Sequence, residues 1–255
     1  MSPFPFRIAA GSLAAALLGG CGETLSAPAP MRALRDDLPG GKAKCLVVLM
    51  PGRRSRAESF LEHGFVRKFR ERGLAVDVVA ADATMGYYVR QTLLDRLEAD
   101  VLAPARASGY EQLWLLGVSM GGFGSLLYAK ERPGQATGVL LLAPFLGDDP
   151  PSEELRAAGG LLKWQAPAAA PLSRTNYELQ IWRWLQAVTA GREPGPKLLL
   201  GFGTEDPFAA RNGLLGEALP SGNVIKVPGA HDWPTWDGIL DRFLADSEFS
   251  RACGR

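Results

Sequence analysis

The chain has 255 residues, with 28 Lys and Arg against 27 Asp and Glu and a net charge of +1 at pH 7. That balance excludes a nucleic-acid groove and a strongly basic membrane patch. Three cysteines without a C-x-x-C pair, and only two histidines, supply no ligand set for a metal, and no cofactor is implied.

In chain order, Met1 to Arg7 is short with one positive charge, and Ile8 to Leu18 is an apolar run rich in alanine and leucine. It is too short for a bilayer-spanning helix, which needs roughly 20 apolar residues, and has the length of a signal-peptide core. A signal peptide is expected over residues 1–20. Leu18-Gly19-Gly20-Cys21 resembles the bacterial lipobox, although Gly19 stands where alanine, serine or threonine is more usual. The resemblance implies that Cys21 is acylated and becomes the new N-terminus. Gly22, in place of an aspartate, permits outer-membrane sorting in a Gram-negative host. The alternative is an ordinary secretory signal with an incidental cysteine. Residues 21–35 then form a lipidated N-terminus and spacer. The acyl chains tether an exported domain to the periplasmic face or the cell surface. Cys45 and Cys253 remain; an exported chain could oxidise them, but whether they meet is not legible locally. Oligomeric state is not legible either.

Residues 36–250 read as one domain, long enough for a sizeable core. Apolar runs at Cys45–Met50, Ala75–Ala80, Gln112–Val118, Gly138–Phe145, Lys197–Phe202 and Asn223–Val227 predict strands. Helical patterns lie at Arg56–Arg72, Tyr87–Ala107, Gly122–Glu131, Phe208–Leu219 and Gly238–Ser247. Ser55-Arg56-Ala57-Glu58 is a capping-box pattern at the start of the first. Continuous apolar strands alternating with helices predict an α/β fold with a mainly parallel, doubly wound sheet. Residues 148–192 break the rhythm with helical patterns at Glu153–Trp164 and Tyr177–Val188, the second preceded by the capping-box pattern Thr175-Asn176-Tyr177-Glu178. This insertion is either a small helical cap over a cleft or an extended crossover helix.

The third strand leads into Gly117-Val118-Ser119-Met120-Gly121, a G-x-S-x-G sequence followed by Gly122 and a helical pattern. Strand, tight turn and helix are the context of a nucleophile elbow. Glycines flank the serine because a Cβ would collide with the neighbouring strand or helix. The helix N-terminus then aims unpaired N–H groups where negative charge develops. The alternative is a glycine-rich turn whose serine caps the helix.

Two further loops complete a pattern. Gly203-Thr204-Glu205-Asp206-Pro207 follows the penultimate strand, and Gly229-Ala230-His231-Asp232-Trp233 follows the last. In this order the chain resembles the α/β-hydrolase superfamily over roughly Leu46 to Leu244. The resemblance implies a nucleophile at Ser119, an acid at Asp206 and a base at His231. A serine hydroxyl is a poor nucleophile at neutral pH. An imidazole takes its proton and returns it to the leaving group, and a carboxylate orients the imidazole. Glu205 is the nearest substitute for Asp206, and Asp232 a weaker one. His63 reads as a helix-face residue. The oxyanion hole is expected from the N–H of Met120 and of Arg53, with Gly52 the alternative, in a Pro51-Gly52-Arg53 loop where many relatives carry His-Gly.

Arg53, Arg54 and Arg56 cluster at a helix start, read either as a solvated loop or as a site for an anionic group. Met85-Gly86-Tyr87-Tyr88, Trp233 and Trp236 are placed on loops that could line an apolar pocket. The expected function is a serine hydrolase cleaving a small-molecule or acyl ester through an acyl-enzyme. A thioesterase, amidase, peptidase or acyltransferase uses the same triad. A surface lipoprotein keeping the fold as a binding module is the reading from another class.

Overall fold

The structure is a computed structural model that describes residues 25–41, 43–147 and 151–254. The expected signal peptide and Cys21 lie outside the described residues. No helix among the described residues is long and apolar enough to cross a membrane.

Seven strands form one sheet: β1 (Ala33–Asp36), β2 (Cys45–Met50), β3 (Val76–Ala81), β4 (Gln112–Val118), β5 (Gly138–Leu142), β6 (Lys197–Gly203) and β7 (Val224–Val227). Their spatial order is β1-β3-β2-β4-β5-β6-β7. All neighbours pair in parallel except β1, which runs antiparallel to β3 with Ala33 opposite Ala81. The central strands β2 and β3 are buried along their whole length, as strands covered on both faces must be. β5 ends at Leu142, short of the expected Phe145, because Ala143 turns into the left-handed region at φ 47° and Pro144 follows.

Edge strand β1 was not expected, and its four residues are mostly exposed. The folded region therefore begins upstream of residue 36. Met31 is buried, and the Arg32 guanidinium holds both carboxylate oxygens of Glu58 at 2.5 and 2.7 Å.

The helices are α1 (Ala57–Glu62), α2 (Phe65–Glu71), α3 (Met85–Val89), α4 (Leu93–Leu97), α5 (Ala103–Ala107), α6 (Met120–Glu131), α7 (Pro151–Ala157), α8 (Tyr177–Thr189), α9 (Ala209–Gly216), α10 (Trp233–Ala245) and α11 (Glu248–Cys253). The expected helix over Arg56–Arg72 is broken at Gly64, whose φ is 73°. Its cap also moves: the N-cap is Arg56, whose N–H donates to Ser59 Oγ, not Ser55. The expected helix over Tyr87–Ala107 divides into α3, α4, a π turn at Glu98–Leu102, and α5. Gln91 sits at φ 57° between α3 and α4. Pro104, with no N–H, cannot continue the regular ladder through the last junction.

The last long helix starts earlier than expected, at Trp233, because Asp232 caps it by accepting the Thr235 N–H at 3.0 Å. In the segment spanning 148–192, α7 and α8 flank a short 3₁₀ turn, and α8 doubles as the crossover helix into β6. Trp182 is buried and donates to the Leu146 carbonyl at 2.9 Å. Gln186 ties down the carbonyls of Leu161 and Trp164. Cys45, at the start of β2, forms a disulfide with Cys253 at the end of α11.

Candidate active site

The carboxyl ends of three parallel strands carry the three residues singled out in the sequence. Ser119 follows β4, Asp206 follows β6 and His231 follows β7. Ser119 adopts φ 51° and ψ −115°, a strained conformation for a residue with a Cβ. Its surroundings hold it there. The Ser119 N–H donates to the Leu142 carbonyl at 2.9 Å, and its own carbonyl accepts from Phe123 and Phe145. The elbow has no room for other side chains. A Cβ at Gly121 would lie 2.0 Å from the Met50 carbonyl oxygen, and one at Gly117 would lie 2.4 Å from the Gly121 carbonyl oxygen.

Ser119 Oγ lies 2.9 Å from His231 Nε2, and His231 Nδ1 lies 2.6 Å from Asp206 Oδ2. An aspartate can only accept here, so Nδ1 carries the proton and Nε2 is left to accept from the serine hydroxyl. The Asp206 side chain is fully buried, and its other oxygen accepts the Phe208 N–H at 2.7 Å. Glu205 points elsewhere: it is exposed, and its N–H donates to the Gly229 carbonyl. Asp232 is occupied as the cap of α10, and hydrogen bonding from Thr235 holds its carboxyl below the ordinary aspartate range.

The imidazole is also gripped by aromatic rings. Phe208 and Trp236 each meet it in a T-shaped arrangement with centroids 5.0 Å away. Trp236 thus supports the histidine and is no pocket residue, and both tryptophans sit in α10 and not on a loop. Trp233 stacks on His63 at 4.2 Å, which accounts for that histidine at the end of α1. Phe208 had no sequence signal of its own; only the fold brings it against His231.

The loop after β2 curls over the elbow. Gly52 is buried so close to the elbow that a Cβ there would sit 3.4 Å from Ser119 Cβ. Its carbonyl accepts the Ser55 N–H, and Arg54 takes φ 67° to close the turn. Met120 opens α6, where the first N–H groups have no intrahelical acceptor. The backbone of Gly52 and that of Met120 therefore both adjoin Ser119. Arg53, Arg54 and Arg56 are exposed and outside the cavity described next.

A cavity of about 460 Å³ adjoins the elbow at Met120. One α6 face lines it with Met120, Phe123 and Leu127, spaced i, i+3 and i+7. Tyr88 from α3 and Tyr177 from α8 also line it, as does Phe145, whose N–H donates to the Ser119 carbonyl. Tyr88 donates to the Met120 carbonyl at 3.1 Å, and burial pushes its phenol well above the ordinary tyrosine range. Met85 and Tyr87 also belong to the lining, on a helix and not the expected loop. Among the described residues no group of three or more metal-ligating side chains occurs.

The family model described as serine aminopeptidase, S33, matches residues 41–183, more than half of the chain. No curated protein matches. Among solved structures, the chain is similar to an S-formylglutathione hydrolase (FrmB) from Staphylococcus aureus, with 17% identity, 80% of each chain covered and a TM-score of 0.55. It is also similar to a ferulic acid esterase, with 15% identity, 88% of this chain and 99% of that one covered and a TM-score of 0.56. Est1E from Butyrivibrio proteoclasticus matches at 16% identity over 84% of this chain and 93% of its own, with a TM-score of 0.55. At such identities these three speak for a shared fold.

Proposed function

Because the chain belongs to the serine aminopeptidase S33 family and is a serine hydrolase of the α/β fold, we propose that it cleaves carboxylic esters of apolar acyl groups through an acyl-enzyme on Ser119. The observation that carries this reading is the continuous relay from Ser119 Oγ through His231 to Asp206, at 2.9 and 2.6 Å. Ser119 Oγ attacks the ester carbonyl as its proton passes to His231 Nε2. The tetrahedral oxyanion is received by the N–H of Met120 and that of Arg53 or Gly52, each such donor being worth about 3 kcal/mol. Collapse of the intermediate expels the alcohol, which takes the proton back from His231. Water then attacks the acyl-enzyme by the same relay in reverse. Asp206 accepts from His231 Nδ1 throughout and stabilises the imidazolium.

The cavity supports an ester of an apolar acid over an aminopeptidase substrate. Among its described lining residues Arg174 alone is charged, and it is a cation. A peptide α-amino group would meet no carboxylate there. The lipobox-like Leu18-Gly19-Gly20-Cys21 supports export and acylation at Cys21. Intact-mass measurement of protein extracted from native membranes checks that part, and an unmodified N-terminus would remove the anchor while leaving the chemistry.

The chemistry is tested with a fluorophosphonate probe and a p-nitrophenyl ester series of increasing acyl length. Wild-type protein is expected to label and to turn over esters, and Ser119→Ala to do neither while remaining folded. Ester turnover by purified Ser119→Ala near the wild-type rate would sink the assignment. Ligand binding by an unlabelled wild-type protein would favour the binding-module reading.

A further inference from the structure

The acyl cavity opens on the same wall of the domain from which the tether departs. Its buried lining residues Tyr87, Leu93 and Met120 form a floor, whereas Val89, Gln91 and Arg174 are exposed and mark its mouth. The N-terminal segment is fastened to that wall. Arg90 Nε donates to the Leu25 carbonyl at 3.1 Å, and the Tyr87 hydroxyl donates to the Pro28 carbonyl at 2.7 Å. Packing between them is so close that a Cβ at Gly86 would lie 2.0 Å from the Ser26 carbonyl oxygen.

Four large hydrophobic residues are exposed among the described residues, and two of them, Leu25 at 51% and Val89 at 42%, sit at this place. Two exposed arginines accompany them: Arg90, bonded to Leu25, and Arg174, whose guanidinium donates to the Val89 carbonyl at 3.1 Å. Cys21 precedes Leu25 by four residues, so the chain can place it at most about 14 Å away. An anchor at Cys21 therefore holds the mouth close to the bilayer.

We propose that Leu25, Val89, Arg90 and Arg174 seat this rim on the phospholipid surface that holds the anchor, and that the cavity draws its substrate, a membrane-resident acyl ester, from that leaflet. The proposal rests on the acylated-esterase reading above. The acyl chains on Cys21 hold the domain at the membrane but leave its orientation free. Two apolar side chains flanked by two arginines set that orientation: the apolar groups enter the interface and the guanidinium groups meet lipid phosphates. The geometry also shortens the path of a water-insoluble ester, which need not cross solvent to reach Ser119.

The test uses the full-length acylated protein in phosphatidylcholine–phosphatidylglycerol vesicles. With Cys21 acylated and Cys45 bonded to Cys253, Val89→Cys provides a single thiol for a polarity-sensitive fluorophore. Glu111→Cys, just before β4 and thus at the amino ends of the parallel strands, is the control. The expected result is a blue-shifted emission and quenching by spin-labelled lipid at position 89 but not at 111. Equal quenching at both positions, or none at 89, overturns the proposal.

A second arm compares wild type with the Leu25→Ser/Arg90→Ser double variant, neither residue lining the cavity. Hydrolysis of a vesicle-embedded diacyl ester is expected to fall about tenfold, as the loss of one buried side chain and one charge contact at the interface allows. Turnover of soluble p-nitrophenyl butyrate should be unchanged. Equal loss on both substrates overturns the membrane seat. The quenching arm needs no turnover, so failure of the esterase reading leaves it readable.

Discussion

Asp206 uses its two oxygens for different partners: Oδ1 accepts the Phe208 N–H at 2.7 Å and Oδ2 faces His231 Nδ1. Asp206→Asn preserves the shape but removes the charge that stabilises the imidazolium. We expect kcat on one ester to fall by up to about 10⁴, with Glu205→Gln close to wild type because Glu205 is exposed and turned away. A crippled Glu205→Gln beside a normal Asp206→Asn would move the acid by one residue. Asp232 makes the opposite kind of contribution, to stability. Its carboxyl is held below the ordinary aspartate range by hydrogen bonding from Thr235. The stabilisation is therefore present above the unfolded-state pKa and is lost as pH falls through the lower folded-state value. Asp232→Ala should cost about 1 kcal/mol at pH 7, and the difference in melting temperature from wild type should shrink in acid. A constant difference down to pH 2 would contradict the capping role. The three residues that the fold brings together were legible in the sequence, because loops after strands state their contents openly. Phe208 and Trp236 were not, since nothing local shows that two rings converge on His231.

At the scale of the element, α6 joins Ser119 to the cavity. It starts at Met120, and its lining residues Met120, Phe123 and Leu127 run down one face. At 1.5 Å per residue, Met120 and Leu127 are about 10 Å apart along the axis, which under the proposed function sets the depth available to an acyl group. Leu127→Trp should fill the far end and shift the preferred p-nitrophenyl ester toward shorter chains, with short-chain kcat/KM within a fewfold of wild type. An unchanged chain-length profile would place the acyl group elsewhere. Strand positions were legible to within a residue or two for most of the sheet, because buried parallel strands are continuous apolar runs. Helix boundaries were less so. Gly64, Gln91 and Pro104 interrupt patterns whose apolar spacing continues across the break, so periodicity alone reads through them. Edge strand β1 escaped notice because its residues are mostly exposed and carry no apolar run.

For the whole molecule, the disulfide links the first parallel strand to the last helix across 208 residues. In the chain-entropy account a closure of that size is worth about 5 kcal/mol, with about 2–4 kcal/mol more usual in practice. Cys253→Ala should lower the melting temperature by about 5–15 °C, and reductant should have little further effect on that variant. A loss under 1 °C would mean that the pairing of β2 with its neighbours already holds both ends. Activity at 25 °C should survive, since Cys45 lies at the opposite end of β2 from the Gly52 loop.

By itself the sequence determined the α/β class, the glycine-flanked turn at Ser119 and the chain order in which Asp206 and His231 follow it. These are local facts: a strand's burial, a turn's need for glycine and a loop's content are written in adjacent residues. Tertiary structure decided everything that depends on residues far apart in the chain. Ser119 and His231 are separated by 112 positions yet lie at hydrogen-bond distance, because β4 and β7 run parallel, with two strands between them, and their carboxyl ends fall on the same side of the sheet. The pairing of Cys45 with Cys253, the rings around His231, the cavity along α6, and the seating of Leu25 beside Val89 share this origin. Each is a contact between segments whose meeting is set by strand order and helix packing, which no stretch of neighbouring residues encodes.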